Sequence, residues 1–382
     1  MSARDRLTIA MIGQRGLPAT FGGVEHHVEE IAARLVRRGH RVIAFTRPRY
    51  EGTARSYRGI ELVPMPTLPT KHLDAIAHSA ASTIAAMLRG VDVVHYHAVG
   101  PGIPAALPRY LSSARVVLTV HGLDGERQKW GPGARAVLRG AEWLSAHVPH
   151  ETIVVSRDLR RHFLERYGRA TWYIPNGVAR PSPVEANGTM QRLGLRSQKY
   201  VLFVGRLVPE KAPDMLIRAF RRLDTDAHLV LAGGSSFTDD YLPVVRRAAS
   251  DEDRVVMPGY VYGRDLGELY ANASAFVLPS LLEGLPLTLL EAASYGIPVV
   301  VSDIPPNVEV LGSEGPGRRL FRAGSESALA DALRAALADP DGERAGASRL
   351  RDDVLGRYSW DEAAAATEAV YEAATGGETT RG

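Results

Sequence analysis

The chain reads as an α/β protein of two doubly wound domains, on three observations. Short apolar runs alternate with amphipathic helical patterns, which is the rhythm of βαβ units in a parallel sheet. That rhythm starts twice, at Leu7 to Ile12 and again at Tyr200 to Gly205, on either side of a Pro-, Ser-, Gly- and Asn-rich stretch from Ala179 to Ser197. The length of 382 residues suits two domains of ordinary size. Domains are therefore placed at 1–180 and 181–358, with a terminal segment at 359–382.

In the first domain the strand Leu7 to Ile12 runs into a glycine-rich loop, Gly13 to Gly23. A helix follows, with Val24, Val28, Ile31 and Leu35 on one face and Glu25, Glu29, Arg34 and Arg38 off it. Gly39 ends that helix, and Arg41 to Thr46 is the next strand. The loop is not a dinucleotide fingerprint, because Gly13 and Gly16 do not supply three glycines at the required spacing. Further strands run from Asp92 to Tyr96, ending at His97, from Arg115 to Val120, ending at His121-Gly122, and from Thr152 to Val155. Tyr173 to Val178 closes the domain.

In the second domain the loop Arg206 to Lys211 leaves the strand Tyr200 to Gly205, and Pro213 starts a helix carrying Leu216, Ile217 and Phe220. The strand His228 to Ala232 ends in Gly233-Gly234, and Arg254 to Met257 ends in Pro258-Gly259. A strand–helix–strand unit then spans Ala275 to Pro306. Ala275 to Leu278 and Pro298 to Ser302 are its strands, and Leu287, Leu290, Ala292 and Ala293 form the apolar face of a helix stopped by Gly296. Pro286 is placed in the first helical turn, which turns the N–H groups of Gly284 to Leu287 outward as an anion site. Glu291 is expected about two turns above Glu283. Leu329, Leu333 and Leu337 mark a further helix, and Ser359 with Glu362 forms a capping box that opens a last one. The tail from Thr375 reads as disordered.

Gly22-Gly23, His121, Arg206, Lys211, Gly233-Gly234 and Glu283 all follow strands. Ligands of open α/β sheets bind at that edge, so one is expected in a cleft between two facing domains. Arg206 offers a two-pronged grip on phosphate oxygens, and Lys211 a point charge. Glu283 and Glu291 cannot hold phosphate. They read as acceptors for hydroxyls, and two of them suggest a sugar.

The string Pro279-Ser280-x-x-Glu283-Gly284-x-Pro286-x-x-x-x-Glu291-Ala292, followed by Gly296-x-Pro298-Val299, resembles the paired-glutamate signature of retaining glycosyltransferases of the GT-B fold, family four in particular. Gly205-Arg206-Leu207-x-x-Glu210-Lys211 is similar to that family's diphosphate loop, with Ala212-Pro213 standing where a glycine is usual. Gly22-Gly23-Val24-Glu25, after Gly13-Gln14-Arg15-Gly16-Leu17-Pro18, looks like the opening of a bacterial surface-glycan branch. The resemblance implies two Rossmann-like domains facing each other across a cleft, with the C-terminal helix crossing back to the first. It implies transfer of a sugar from a nucleoside diphosphate sugar to a hydroxyl, with retention, in polysaccharide, glycolipid or cell-envelope glycan synthesis. Catalytic roles follow for His121, Arg206, Lys211 and Glu283, and donor contacts for Gly22, Gly23, Gly205, Gly234, Gly284, Leu285, Pro286, Leu287 and Glu291. Glu283 would hold the sugar hydroxyls and Glu291 the ribose. Two alternatives stand beside this reading: a sugar-nucleotide epimerase of the same architecture, and a non-catalytic partner subunit.

Composition bounds the rest. With 45% hydrophobic and 23% charged residues the chain is a globular protein with a full core. The absence of cysteine excludes disulfides and thiolate metal sites and points to a reducing cytoplasm. The first apolar run is too short for a signal peptide or a membrane span. A net charge of +3 is too small to argue for nucleic acid, yet it leaves room for peripheral contact with the anionic inner face of a plasma membrane. The partners expected are the nucleotide-sugar donor and a glycan or lipid-linked acceptor. Asp224-Thr225-Asp226 fits the letters of a metal motif but precedes its strand, so it reads as a turn and no metal or cofactor is expected. Arg127, Lys129 and Trp130 read equally as acceptor contacts or as a solvated helix start, and His97 as structural.

Overall fold

The computed structural model describes residues 6–19, 22–48, 54–67, 74–123, 132–182, 184, 188–234 and 241–376. The chain divides into two compact units, Met1–Gly177 with Trp360–Gly382, and Val178–Ser359.

The first unit is built on β1 (Thr8–Ile12), α1 (Gly23–Arg37), β2 (Arg41–Thr46), β3 (Ser56–Tyr57) and β4 (Ile60–Pro64). It continues through α2 (Asp74–Leu88), β5 (Val93–His97), α3 (Ala106–Leu111) and β6 (Arg115–Val120). Then come α4 (Pro132–His147), β7 (Glu151–Val154), α5 (Arg157–Tyr167) and β8 (Trp172–Tyr173). The sheet order is β3-β4-β2-β1-β5-β6-β7-β8, parallel except for the β3–β4 pair. Residues Ile9 to Ile12 have no exposed surface, because helices cover both faces of a parallel sheet. Strands β1, β2 and β4 step one way and β5 to β8 the other. The order therefore reverses between β1 and β5, which pair in register Ile9 to Val93.

The second unit comprises α6 (Thr189–Arg192), β9 (Tyr200–Val204), α7 (Pro213–Arg221), β10 (His228–Ala232), α8 (Leu242–Ala249) and β11 (Val255–Gly259). It continues with α9 (Gly263–Asn272), β12 (Ala275–Leu278), α10 (Leu287–Ser294), β13 (Val299–Ser302) and α11 (Pro305–Leu311). β14 (Arg318–Phe321), α12 (Glu326–Ala338) and α13 (Pro340–Arg357) complete it. Its parallel sheet runs β11-β10-β9-β12-β13-β14, so the reversal lies between β9 and β12. The last helix, α14 (Trp360–Thr375), belongs to the first unit. There Arg34 Nε donates to Asp361 at 2.8 Å, and His40 Nε2 lies 2.7 Å from a Glu368 oxygen.

Several expectations are corrected. β4 and α2 lie in a stretch for which periodicity indicated nothing. Pro286 is the residue before α10, in an extended conformation with ψ 107°, and lies outside the first turn. Leu289 is buried on that helix where Leu287 was expected, and Leu287 is only half-buried. Because α10 begins at Leu287, Glu291 stands about one turn into it, and the segment from Glu283 to Pro286 is not helical. Glu25 and Glu29, placed off the apolar face of α1, are buried.

Candidate active site

In the second unit the loops after β9 and β12 leave neighbouring strands, so residues distant in sequence meet at one edge. Lys211 Nζ forms an ion pair with Glu283, and both side chains are largely withdrawn from solvent. Arg206 opens the same loop after β9, its guanidinium 3.9 Å from buried Glu210. The Leu281 N–H donates to the Glu210 carbonyl at 2.8 Å, which ties the two loops by their backbones. Ala212 precedes α7 at φ +47°, a left-handed position, which explains why a glycine suits it; Pro213 takes the first helical position, as expected.

The β10 loop packs against the same edge. A Cβ on Gly233 would stand 1.8 Å from the Gly205 carbonyl oxygen, so only glycine lets the two loops approach. The Leu207 N–H donates to the Gly234 carbonyl at 2.9 Å, and the Tyr260 hydroxyl donates to it at 3.2 Å. The Tyr260 and Tyr262 rings stack at 5.9 Å and are partly exposed. On α10, Glu291 accepts a hydrogen bond from the buried Tyr270 hydroxyl at 3.0 Å. Burial, followed by the Glu291 carboxylate, pushes the Tyr270 hydroxyl well above its ordinary pKa, so it stays a donor. Gly284, Leu285 and Pro286 are buried ahead of this helix. Pro286 has no N–H, so the proposed donor row is interrupted there. The N–H groups of Leu287 and Thr288 open the helix without an i−4 partner.

In the first unit the corresponding edge carries imidazoles. Gly13 leaves β1 at φ +130°, where a Cβ would stand 2.3 Å from the His97 carbonyl oxygen. The loop is held by buried carboxylates of α1: the Arg15 N–H donates to Glu25 at 3.1 Å and the Ala19 N–H to Glu29 at 2.7 Å. Gly22 and Gly23 are exposed at the start of α1, and Gly22 precedes its first turn at φ +142°. His121 follows β6 with its Nε2 3.4 Å from His97 Nδ1, and its ring meets His27 edge-on at 4.6 Å. Burial holds His27 down to about 4, and burial with neighbouring imidazoles holds His97 and His121 well below the usual range. These rings are neutral at pH 7.

The family model described as Glycosyltransferase Family 4 matches residues 21–180, and the one described as glycosyl transferases group 1 matches residues 189–351. The chain is 27% identical to a GDP-mannose-dependent alpha-(1-6)-phosphatidylinositol monomannoside mannosyltransferase of Mycobacterium tuberculosis, over 91% of this chain and 94% of that one. The chain is a family-four glycosyltransferase. Among solved structures, this glycosyltransferase is similar to sucrose-phosphate synthase of Thermosynechococcus elongatus, with a TM-score of 0.84 at 22% identity over 96% of this chain and 99% of that one. It is also similar to HepE of Anabaena in complex with UDP and glucose, with a TM-score of 0.81 at 20% identity over 96% of this chain and all of that one. Both share the GT-B fold with it.

The structure of this glycosyltransferase brings together Arg206, Lys211, Glu283 and the turns of Gly205 and Gly234 on one sheet edge. Glu291 lies on α10, where it accepts a hydrogen bond from Tyr270. Gly22, Gly23 and His121 belong to the first unit. Asp224 and Asp226 precede β10, and Asp226 pairs with Lys199 at 2.9 Å on the surface. Arg127, Lys129 and Trp130 lie outside the described residues. Sequence reasoning missed His27, Asn176 and the Tyr260–Tyr262 stack. The histidine of the Gly-Gly-Val-Glu-His-His run sits on the buried side of α1, a signal that helical periodicity from Val24 and Val28 could have supplied.

Proposed function

We propose that the enzyme transfers a sugar from a nucleoside diphosphate to a hydroxyl of a glycan or lipid-linked acceptor with retention of anomeric configuration. The observation that carries this reading is the Lys211–Glu283 pair at the strand reversal of the second unit, with Arg206 on the same loop as Lys211. A cation and a hydroxyl acceptor at one edge suit a charged diphosphate joined to a polyol. One relative carries GDP-mannose dependence in its name, and one structural neighbour was solved with UDP and glucose.

The bond from the anomeric carbon to the diphosphate breaks, and the electron pair leaves with the phosphate oxygen. Arg206, Lys211 and the N–H groups opening α10 offset that negative charge without a metal. The acceptor oxygen attacks from the face the leaving group vacates, and its proton passes to the departing phosphate oxygen. The products are a glycoside and a nucleoside diphosphate. Glu283 accepts hydrogen bonds from the sugar and Glu291 from the ribose, while His121 contacts the transferred sugar as a neutral imidazole.

No helix among the described residues is long and apolar enough to cross a membrane. Contact with an anionic membrane face suits the outward Leu88, Tyr110 and Leu111 side chains, which are 83%, 70% and 70% exposed. Arg89 and Arg109 are their neighbours in sequence. Incubation with isotope-labelled nucleotide sugars and acceptors, followed by NMR of the anomeric signals, tests the whole reading. A product whose anomeric configuration is inverted, or donor isomerised without transfer, would overturn it.

A further inference from the structure

We infer that His27, His97 and His121 of the first unit form a binding site for one divalent transition-metal ion of the zinc, cobalt, nickel or copper type. One nitrogen from each residue lies within 4.8 Å of the others. The 3.4 Å between His97 Nδ1 and His121 Nε2 matches the separation of about 3.3–3.4 Å between nitrogens sharing a tetrahedral ion at 2.0–2.1 Å. Closing the third side asks the His27 ring to move in by about 1.5 Å at most, on the same bond lengths.

The partners of each ring decide which nitrogens are offered. The His27 Nδ1–H donates to the Asn176 side-chain oxygen at 2.9 Å, which fixes the tautomer and leaves Nε2 as the nitrogen with a lone pair to offer. That is how a ligating imidazole is normally oriented by a neighbour. His97 places its Nε2 3.2 Å from Met11 Sδ, so its Nδ1 is the nitrogen turned to His121. His95, although its ring lies 4.2 Å from that of His97, is excluded as a ligand. Its two nitrogens are engaged by the Tyr371 and Thr119 hydroxyls, both at 2.7 Å. Three neutral imidazoles with one lone pair each suit a borderline ion rather than magnesium or calcium, which take oxygen ligands. His27 and His97 are buried and His121 is the least buried of the three, so the ion would enter beside His121 and take solvent as its fourth ligand.

The ion would not serve the reaction. It would hold His121 away from the sugar and so act as a reversible inhibitor, a consequence that rests on the role proposed above for that residue. Binding is measured without donor or acceptor, by titrating the metal-free protein with Co²⁺ and following the visible bands of a four-coordinate ion. One equivalent is expected. His97→Gln should abolish the signal, and Asn176→Ala, which keeps all three ligands, should weaken binding about 10–100-fold. No saturable signal in the wild type, or wild-type affinity in both variants, would overturn the site. Should His97→Gln fail to fold, Cu²⁺ electron paramagnetic resonance on the wild type decides it: coupling to three nitrogens supports the site, and fewer than three overturns it. Zn²⁺ bound at one equivalent with undiminished transfer would instead overturn the role of His121 and leave the site standing.

Discussion

Both units reverse strand order within the sheet, and both use a glycine at the C-terminal strand edge to let one loop approach the end of a neighbouring strand. Gly13 does this against His97 in the first unit, and Gly233 against Gly205 in the second. The chemistry at the two edges is opposite. The second carries formal charges, with Lys211 on Glu283 and Arg206 by Glu210. The first carries neutral imidazoles, because burial among other imidazoles makes protonation costly. One backbone arrangement thus supports a charged site and an uncharged one. The difference arises from side chains at equivalent strand ends, which is why fold alone does not name a function.

The sharpest way to separate the units is acid. Eleven of the 12 histidines lie in the first unit, and the second has only His228. His27, His78 and His150 are held near 4 and His95 near 3. Their folded values lie below the unfolded one, so between about pH 6.5 and 4 the unfolded chain binds more protons and stability falls as pH falls. His27 alone should cost on the order of 3 kcal/mol by pH 4. All 4 tryptophans belong to the first unit, so their fluorescence reports its unfolding separately from the far-ultraviolet circular dichroism of the whole. The fluorescence transition should come first on acidification. Coincident transitions would mean that the imidazoles do not set the difference.

Next in size is the charge at the second edge. Lys211→Ala should lower turnover about a hundredfold or more at saturating donor and acceptor, from the loss of roughly 2.7–4 kcal/mol of transition-state stabilisation. Near-normal turnover in this variant would remove the charged edge from the chemistry.

A smaller effect divides the two glutamates. Glu291→Ala should weaken binding of the bare nucleoside diphosphate by about 1–3 kcal/mol in calorimetry. Glu283→Ala should leave that affinity nearly unchanged while cutting turnover with the intact donor. Because Glu283 neutralises Lys211, a rise in diphosphate affinity for Glu283→Ala is compatible with this division, whereas equal losses in both variants are not. The smallest expected effect is none at all. Asp224→Ala combined with Asp226→Ala should leave turnover unchanged, and so should excess chelator; loss on chelation with recovery on manganese would contradict metal-independent transfer.

Much of this molecule was legible in its sequence. The strands β1, β2, β6, β9, β10, β12 and β13 coincide with short apolar runs, since strands covered on both faces must be apolar throughout. The residues after them, Arg206, Lys211, Glu283 and His121, could be placed at strand ends for the same local reason. What the linear pattern could not supply was who meets whom. Lys211 and Glu283 are 72 residues apart and pair only because β9 and β12 are neighbours in the sheet. His27 and Asn176, 149 apart, meet only when α1 and the end of the first unit are both in place. Glu25 and Glu29 read as lying off the apolar face of α1, yet tertiary folding buries them because the backbone of the Gly13 to Ala19 loop supplies hydrogen bonds that a buried carboxylate requires. Periodicity records which residues avoid water along one element. Strand order and loop closure decide which polar groups satisfy one another, and those are properties of the assembled fold.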